Sequence, residues 1–257
     1  MNFINQVLAT IQGEGKFIGT PTLLVRVQGC NARCKFCDTK EALRYPEINE
    51  SEIDVSRLVQ DIYDKFGAFK LINLLITGGE PTIYFKYNFF AKFIEELFDK
   101  FDFRSMEIET NGAGCIFSDN IPFFENLFGL PLVFNISPKV EFKNEADNDP
   151  IIVVNNINFL ISNCISFTLK ILNYPPILNK SKVILSQIKN RNFPIYIMPL
   201  TPYTKNNEID YEGFRKNCMD TIKFCLKTGY LFSPRTHIWI FGEDKNEGNQ
   251  APIIGHK

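Results

Sequence analysis

Histidine is nearly missing from these 257 residues: there are two, His237 and His256, alongside a single tryptophan, Trp239. A zinc site built on histidine pairs has little to work with. An excess of charge of one sign is missing as well. Lys and Arg number 28 against 29 Asp and Glu, for a formal net charge of −1. That balance carries no electrostatic footprint for nucleic acid. Long apolar runs are absent, because each meets a charge, Asn or Pro before it could span a bilayer, so no membrane partner is expected. The opening "MNFINQVLATIQGEG" has no basic stretch leading into an apolar core. It does not read as an export signal, and the chain is expected in the cytoplasm. In that reducing compartment the seven cysteines are expected as thiols or metal ligands, not as disulfides.

What is present is a globular composition, 45% hydrophobic and 22% charged, long enough for one large α/β domain. Apolar runs alternate with longer helical patterns. Strands are predicted at 22–27, 72–77, 105–110, 131–137, 167–172 and 194–200, mostly rich in Val, Ile, Leu and Phe, as parallel strands covered on both faces should be. Helices are predicted at about 54–66, 87–100, 120–128, 180–190 and 211–228, the last ending in Lys and Gly as a helix stop should. The expected fold is α/β, an open, partial parallel β/α barrel of about six strands, too few to close. One domain is expected over 1–242, with 1–20 an N-terminal segment, 141–166 a divergent insertion and 243–257 an irregular tail.

The chemistry concentrates in "GCNARCKFCDT", which places Cys30, Cys34 and Cys37 within eight residues, directly after the first predicted strand. Parallel α/β folds carry their sites at that end of a strand. No second cysteine pair resembling a zinc half-site follows: Cys115 and Cys164 stand alone, and Cys218 and Cys225 share one face of a predicted helix. Three thiolates without a fourth suit a [4Fe–4S] cluster with one iron left open. The competing reading is a cluster or zinc ion completed by a distant cysteine. A second motif, "LLITGGEPT", ends the next predicted strand with Gly78 and Gly79, which allow close backbone approach, although Gly-Gly and Pro also make ordinary turns.

"CNARCKFC" resembles the CxxxCxxC signature of the radical S-adenosylmethionine (radical SAM) enzymes, in which the open iron chelates SAM and a 5′-deoxyadenosyl radical is formed. "TIQGEGKFIGTPTLLVRVQGCN", "CDT", "TGGEP", "IETNG", "SPK" and "FSPRTHIW" are similar to the 7-carboxy-7-deazaguanine synthase family of queuosine biosynthesis, with matches from about residue 8 to 240 and weak stretches at 41–70 and 141–192. The resemblance implies a carbon–nitrogen lyase that contracts 6-carboxy-5,6,7,8-tetrahydropterin to 7-carboxy-7-deazaguanine with loss of ammonia. It further implies a homodimer, magnesium as a second metal, and an electron donor such as a flavodoxin or ferredoxin.

The resemblance also assigns residues. Cys30, Cys34 and Cys37 ligate the cluster, and Thr39 contacts Mg2+, although Asp38-Thr39 could merely cap a turn. Phe36, Cys37, Asp38, Gly79, Ser137, Pro138 and Lys139 contact SAM. Ile11, Gln12, Gly13, Glu14, Arg26, Thr77 and His237 contact the substrate. Arg26 can grip the substrate carboxylate with its fork; the alternative is a surface salt bridge, but an arginine inside "LLVRVQ" needs a partner. Glu109 is a candidate contact with SAM or substrate, or a paired buried carboxylate. Trp239 is expected in the core or a dimer interface. Two rivals stand: a radical SAM activase acting on a partner protein, and a non-catalytic metal-binding regulator. The first would not need "QGEG" or "CDT"; the second predicts zinc.

Overall fold

The computed structural model describes residues 3–206 and 208–242. The tail at 243–257, including His256, lies outside the described residues.

Among the described residues one eight-stranded sheet runs in sequence order, from β1 (Ile4–Ile11) and β2 (Pro21–Val27) through β3 (Asn73–Gly78), β4 (Ser105–Thr110), β5 (Leu132–Ile136), β6 (Ser166–Leu172) and β7 (Ile195–Met198) to β8 (Leu231–Phe232). β1 pairs antiparallel with β2, and every later neighbour is parallel. The sheet is open, as expected, with β1 and β8 at its edges. The expected count of about six strands is corrected to eight. β1 escaped notice because Asn5, Gln6 and Thr10 interrupt its apolar pattern, and a bulge between Ile4 and Gln6 breaks its alternation. β8 is two residues long, below the length at which periodicity can be read.

The helices α1 (Val55–Phe66), α2 (Asn88–Lys100), α3 (Ile121–Asn126), α4 (Pro150–Ser162), α5 (Pro175–Gln187), α6 (Tyr211–Thr228) and α7 (Thr236–Phe241) cross between strands or follow the last one. α1 starts where Asp54 accepts a hydrogen bond from the Arg57 amide at 3.0 Å, and α6 ends at Gly229 in the left-handed conformation. α4 was not expected. It occupies the segment read as a divergent insertion, and is the ordinary crossover between β5 and β6. "PIIVVNNINFLIS" is apolar on nearly every face, so it carries no helical stripe to recognise. Its buried Asn156 accepts from the Phe117 amide at 2.8 Å and donates to the carbonyls of Gly112 and Cys115 at 3.0 and 2.8 Å. A helix on the sheet face thereby fixes the loop that follows β4.

Phenylalanine fills the space between sheet and helices. Phe85 stacks on Phe123 with centroids 3.7 Å apart, and Phe3 meets the rings of Phe89 and Phe93 at 5.0 and 5.2 Å. Cys225 belongs to this core, while Cys218 packs beside a small cluster of Ile209, Phe214 and Ile238. Trp239 packs tilted against Phe214, with centroids 5.0 Å apart, yet stays 46% exposed, so it edges the core. This packed side leaves the carboxyl ends of β2 to β6 to build one cavity.

Candidate active site at the carboxyl ends of the strands

The loop after β2 brings Cys30, Cys34 and Cys37 to the wall of a cavity of about 790 Å³, and the other four cysteines do not line it. Cys30 is buried, whereas Cys34 and Cys37 are half-buried. The sulfurs of Cys30 and Cys37 each accept a backbone amide two residues on, from Ala32 and Thr39, both at 3.4 Å. Burial pushes the Cys30 thiol up to about 12, with the Glu80 carboxylate adding to it. Burial raises Cys34 and Cys37 too; Cys37 adds to the shift of Cys34, and Asp38 to that of Cys37. Among the described residues no three His, Cys, Asp or Glu side chains converge as the ligands of a single metal ion. A cube of four irons differs in taking each thiolate on a separate iron, and its positive metal supplies what deprotonation of crowded, buried thiols needs. The donor set fits the cluster.

The glycine-rich segment after β3 is sewn to this loop by backbone. Gly79 N–H donates to Val27 O at 3.0 Å and Glu80 N–H to Gly29 O at 2.8 Å. A Cβ on Gly79 would stand 1.9 Å from the Gly29 carbonyl oxygen, a collision no side chain survives. Glu80 is buried and accepts four hydrogen bonds: from the amide and hydroxyl of Thr82 at 3.1 and 2.7 Å, the Thr110 hydroxyl at 2.6 Å and the Asn111 amide at 2.6 Å. Burial raises its carboxyl above the ordinary range, against the pull of those donors. Glu80 thus anchors "GGEP" to "IETNG". Asn111 continues the seam by donating to Asn31 Oδ1 at 2.7 Å, inside the cysteine loop.

Opposite the thiols lies a chain of alternating charges. Lys170, on β6, reaches Glu14 at 2.7 Å and Glu109 at 2.6 Å. Arg235 donates through Nε to Glu14 at 2.8 Å, through Nη2 to Asp38 at 2.6 Å and through Nη1 to the Thr201 hydroxyl at 2.5 Å. Side-chain exposure grows along the chain, from 3% at Lys170 through 13% at Glu14 and Arg235 to 38% at Asp38. Burial alone would raise Glu14, but Lys170 and Arg235 hold it well below the usual carboxylate range. Asp38 is depressed in the same sense, where Arg235 and Arg26 overcome desolvation. Lys170 is raised because Glu109 and Glu14 outweigh its burial.

The residues singled out in the sequence meet here, with two qualifications. Ile11, Gln12, Gly13, Glu14, Arg26, Phe36, Asp38, Thr39, Thr77, Gly79, Ser137, Lys139 and His237 all line the cavity; Pro138 does not. The Gln12 amide is turned to the cavity floor, where it donates to buried Glu107 at 2.8 Å. Glu107 also accepts from Asn73 at 2.9 Å and Asn135 at 2.5 Å. Arg26 finds its partners in the Thr39 hydroxyl at 3.1 Å and the Gln6 amide oxygen at 3.3 Å. Thr77 donates to Glu109 at 2.8 Å and Lys139 to Ser137 at 2.7 Å. Phe36 meets Tyr174 edge to face at 5.6 Å. His237 lies against Gly13, whose missing Cβ makes the room, and 3.8 Å from Glu14; burial lowers its pKa, with Glu14 pulling it back.

Lys170, Arg235 and Glu107 were missed. Lys170 sits in "FTLKIL", where the logic applied to Arg26 holds equally: a cation inside a buried strand must have counter-charges.

Residues 24–115 match the Radical SAM superfamily. That stretch of the chain is similar to the radical SAM enzymes. Within that class its curated relatives are named 7-carboxy-7-deazaguanine synthase. The protein of that name from Buchnera aphidicola is 27% identical over 92% of this chain and 95% of its own length. Those from Aquifex aeolicus and Escherichia coli are 36% and 33% identical over 43% of this chain. There the alignments span 45% and 53% of the relatives, about half their length. The crystal structure of QueE from Escherichia coli superposes with a TM-score of 0.60 at 19% identity, covering 90% of this chain and 92% of that one, and shares the fold. A structure titled native anSMEcpe with bound AdoMet and Cp18Cys peptide has a TM-score of 0.52 at 17% identity, over 83% of this chain and 63% of that one.

Proposed function

We propose that this chain is a radical SAM carbon–nitrogen lyase of the queuosine pathway, converting 6-carboxy-5,6,7,8-tetrahydropterin to 7-carboxy-7-deazaguanine and ammonia. The observation that carries the reading is the meeting, on one cavity, of a three-cysteine loop and a pre-paired constellation of carboxylates and cations. Cys30, Cys34 and Cys37 would hold a [4Fe–4S] cluster. Bound there together with SAM, the cluster would supply one-electron, radical-generating chemistry to the substrate.

The chain's own residues bind, orient and exclude water. Gly79, with no side chain, leaves the backbone edge beside the cysteine loop open to the methionyl part of SAM, with Phe36, Asp38, Ser137 and Lys139 as further contacts; Pro138, off the cavity wall, is left out of that set. A flat pterin presents donors and acceptors along one edge; Glu14 and Glu109 offer oxygens held in place by Lys170, and Thr77 a hydroxyl held by Glu109. The turn at Ile11, Gln12 and Gly13 adds backbone groups, since the Gln12 amide is engaged below. Arg26 and His237 would face the substrate carboxylate; a guanidinium binding neutral partners has the fork that grips a carboxylate. Thr39 would hold magnesium. Its hydroxyl accepts from Arg26 and donates to Asp38 at 3.1 Å each, so taking the metal exchanges one cation for another at the same oxygen. Fixing these groups before reaction lowers the entropy cost of the step and keeps a reactive radical from other targets.

The reading includes a cytoplasmic homodimer reduced by a flavodoxin or ferredoxin. Among the described residues no helix is long and apolar enough to cross a membrane. The test is anaerobic incubation of cluster-reconstituted protein with SAM, magnesium, a strong reductant and the carboxy-tetrahydropterin, followed by chromatography. Formation of 7-carboxy-7-deazaguanine is expected. Reductive cleavage of SAM without that product favours an activase, and purification with zinc and no iron or sulfide favours a regulator.

A further inference from the structure

The carboxyl-end cavity is assembled from two bodies of chain that have separate supports. The substrate-side turn at 12–15 is stitched to the segment after β8: Gly15 N–H donates to Ser233 Oγ at 2.8 Å, and Thr236 N–H to Gly13 O at 3.0 Å. The first part of the cysteine loop is stitched elsewhere, to residues 141–143, through Arg33 N–H to Glu141 O and Lys143 N–H to Asn31 O, both 2.8 Å. Its last part, from Cys37 to Thr39, has no such backbone seam to the turn. Arg235 spans the interval. It belongs to the stitched segment, bonds Glu14 of the turn with Nε, and reaches Asp38, the neighbour of Cys37, with Nη2. Its third nitrogen, Nη1, holds Thr201 in the loop after β7. One planar guanidinium therefore fixes three segments in a single plane, which a lysine, with one point of charge, cannot do.

We propose that Arg235 is a positioning residue that couples the substrate turn to the cysteine loop, so that occupation of one half-site orders the other. The inference rests on the reaction proposed above but reaches beyond it, to the coupling between the two ligands. Substrate engaging Glu14 pulls on the guanidinium, and the guanidinium sets the place of Asp38 beside the SAM side. By linkage the effect is reciprocal: SAM tightens the substrate as much as the substrate tightens SAM.

Two measurements test it, on parent, Arg235→Gln and Arg235→Lys; the lysine variant keeps the charge so that Glu14 is not left under-neutralised. First, hydrogen exchange on the metal-free protein: in both variants the amides of 12–16 and 36–39 should exchange faster together, with α1 and α2 unchanged. Faster exchange in one segment only, or everywhere, overturns the proposal, the latter being general weakening of the fold. Second, SAM affinity of the cluster-loaded protein with and without the carboxy-tetrahydropterin. The parent should bind SAM about fivefold or more tightly with substrate present, and the variants equally with and without it. Coupling that survives in both variants, or is absent from the parent, overturns the proposal. The exchange measurement needs no turnover, so failure of the reaction and failure of the coupling are told apart.

Discussion

The two walls of the cavity are built on opposite principles. On the charged wall Glu14, Lys170, Glu109, Arg235 and Asp38 satisfy one another at 2.6 to 2.8 Å, and burial strengthens each pair. On the cysteine wall the thiols have only weak amide donors at 3.4 Å, and burial drives them toward the neutral form. The charged wall is complete as protein and can recognise a polar substrate by its shape. The cysteine wall is held in place by its backbone, through Gly79, Glu80 and Asn31, while its side chains are suited to a metal that pays the cost of ionising them. Rigidity in the first comes from side chains and in the second from main chain, so they should fail differently when altered.

The largest expected effect is on the cysteine wall. Cys34→Ala should abolish cluster assembly while leaving the unfolding midpoint of the metal-free protein close to the parent's. An intact iron–sulfur absorbance spectrum in the variant would remove Cys34 from the ligand set. Next is Gly79→Ala, where the added carbon meets a carbonyl oxygen at 1.9 Å. Displacing the strand end by even an ångström should cost about 10²-fold or more in turnover, and activity within a factor of a few of the parent would show that the close approach is not needed.

Lys170→Met attacks the charged wall, leaving two carboxylates without their shared cation. Loss of about 3–5 kcal/mol in urea unfolding at neutral pH is expected for breaking a buried pair from one side. The pH dependence carries a sign. Lys170 is raised above its ordinary 10.5, so its contribution is whole below that pH and fades as pH climbs toward the raised value. Glu14 is lowered from 4.5, so its share is whole above 4.5 and fades as pH falls toward the depressed value. The stability gap between parent and variant should therefore be flat from about pH 5 to 9 and narrow in acid; a gap that widened in acid would contradict the pairing. The smallest effect is Thr39→Ala, which should weaken the magnesium dependence of turnover and leave the cluster intact. Superimposable magnesium titrations would take Thr39 out of the metal site.

Legibility in the sequence divides along the same line. The cysteine wall could be read because its chemistry is local: three thiols within eight residues, and two glycines at a strand end. The charged wall could not, because Glu14, Asp38, Lys170 and Arg235 are 61 to 221 positions from their charge partners, and only the order of strands brings them together. Glu14 and Asp38 were named by resemblance alone. Lys170 carried a signal that went unused, a lone cation in a buried strand, whereas Arg235 stood inside the matched "FSPRTHIW" with only its neighbour His237 singled out. The same contrast holds in the fold. β3 to β6 announce themselves as short apolar runs, while α4, apolar all round, and β1, interrupted by polar residues, give periodicity nothing to grip.

The account turns on three protein sulfurs holding the cluster and one iron remaining for SAM. The direct measurement is the electron paramagnetic resonance spectrum of the reduced, reconstituted protein before and after SAM is added. The account predicts a [4Fe–4S] signal whose g-values shift on addition, in parent protein and in Cys115→Ala alike. A signal unchanged by saturating SAM, or one lost when Cys115 is replaced, would contradict it.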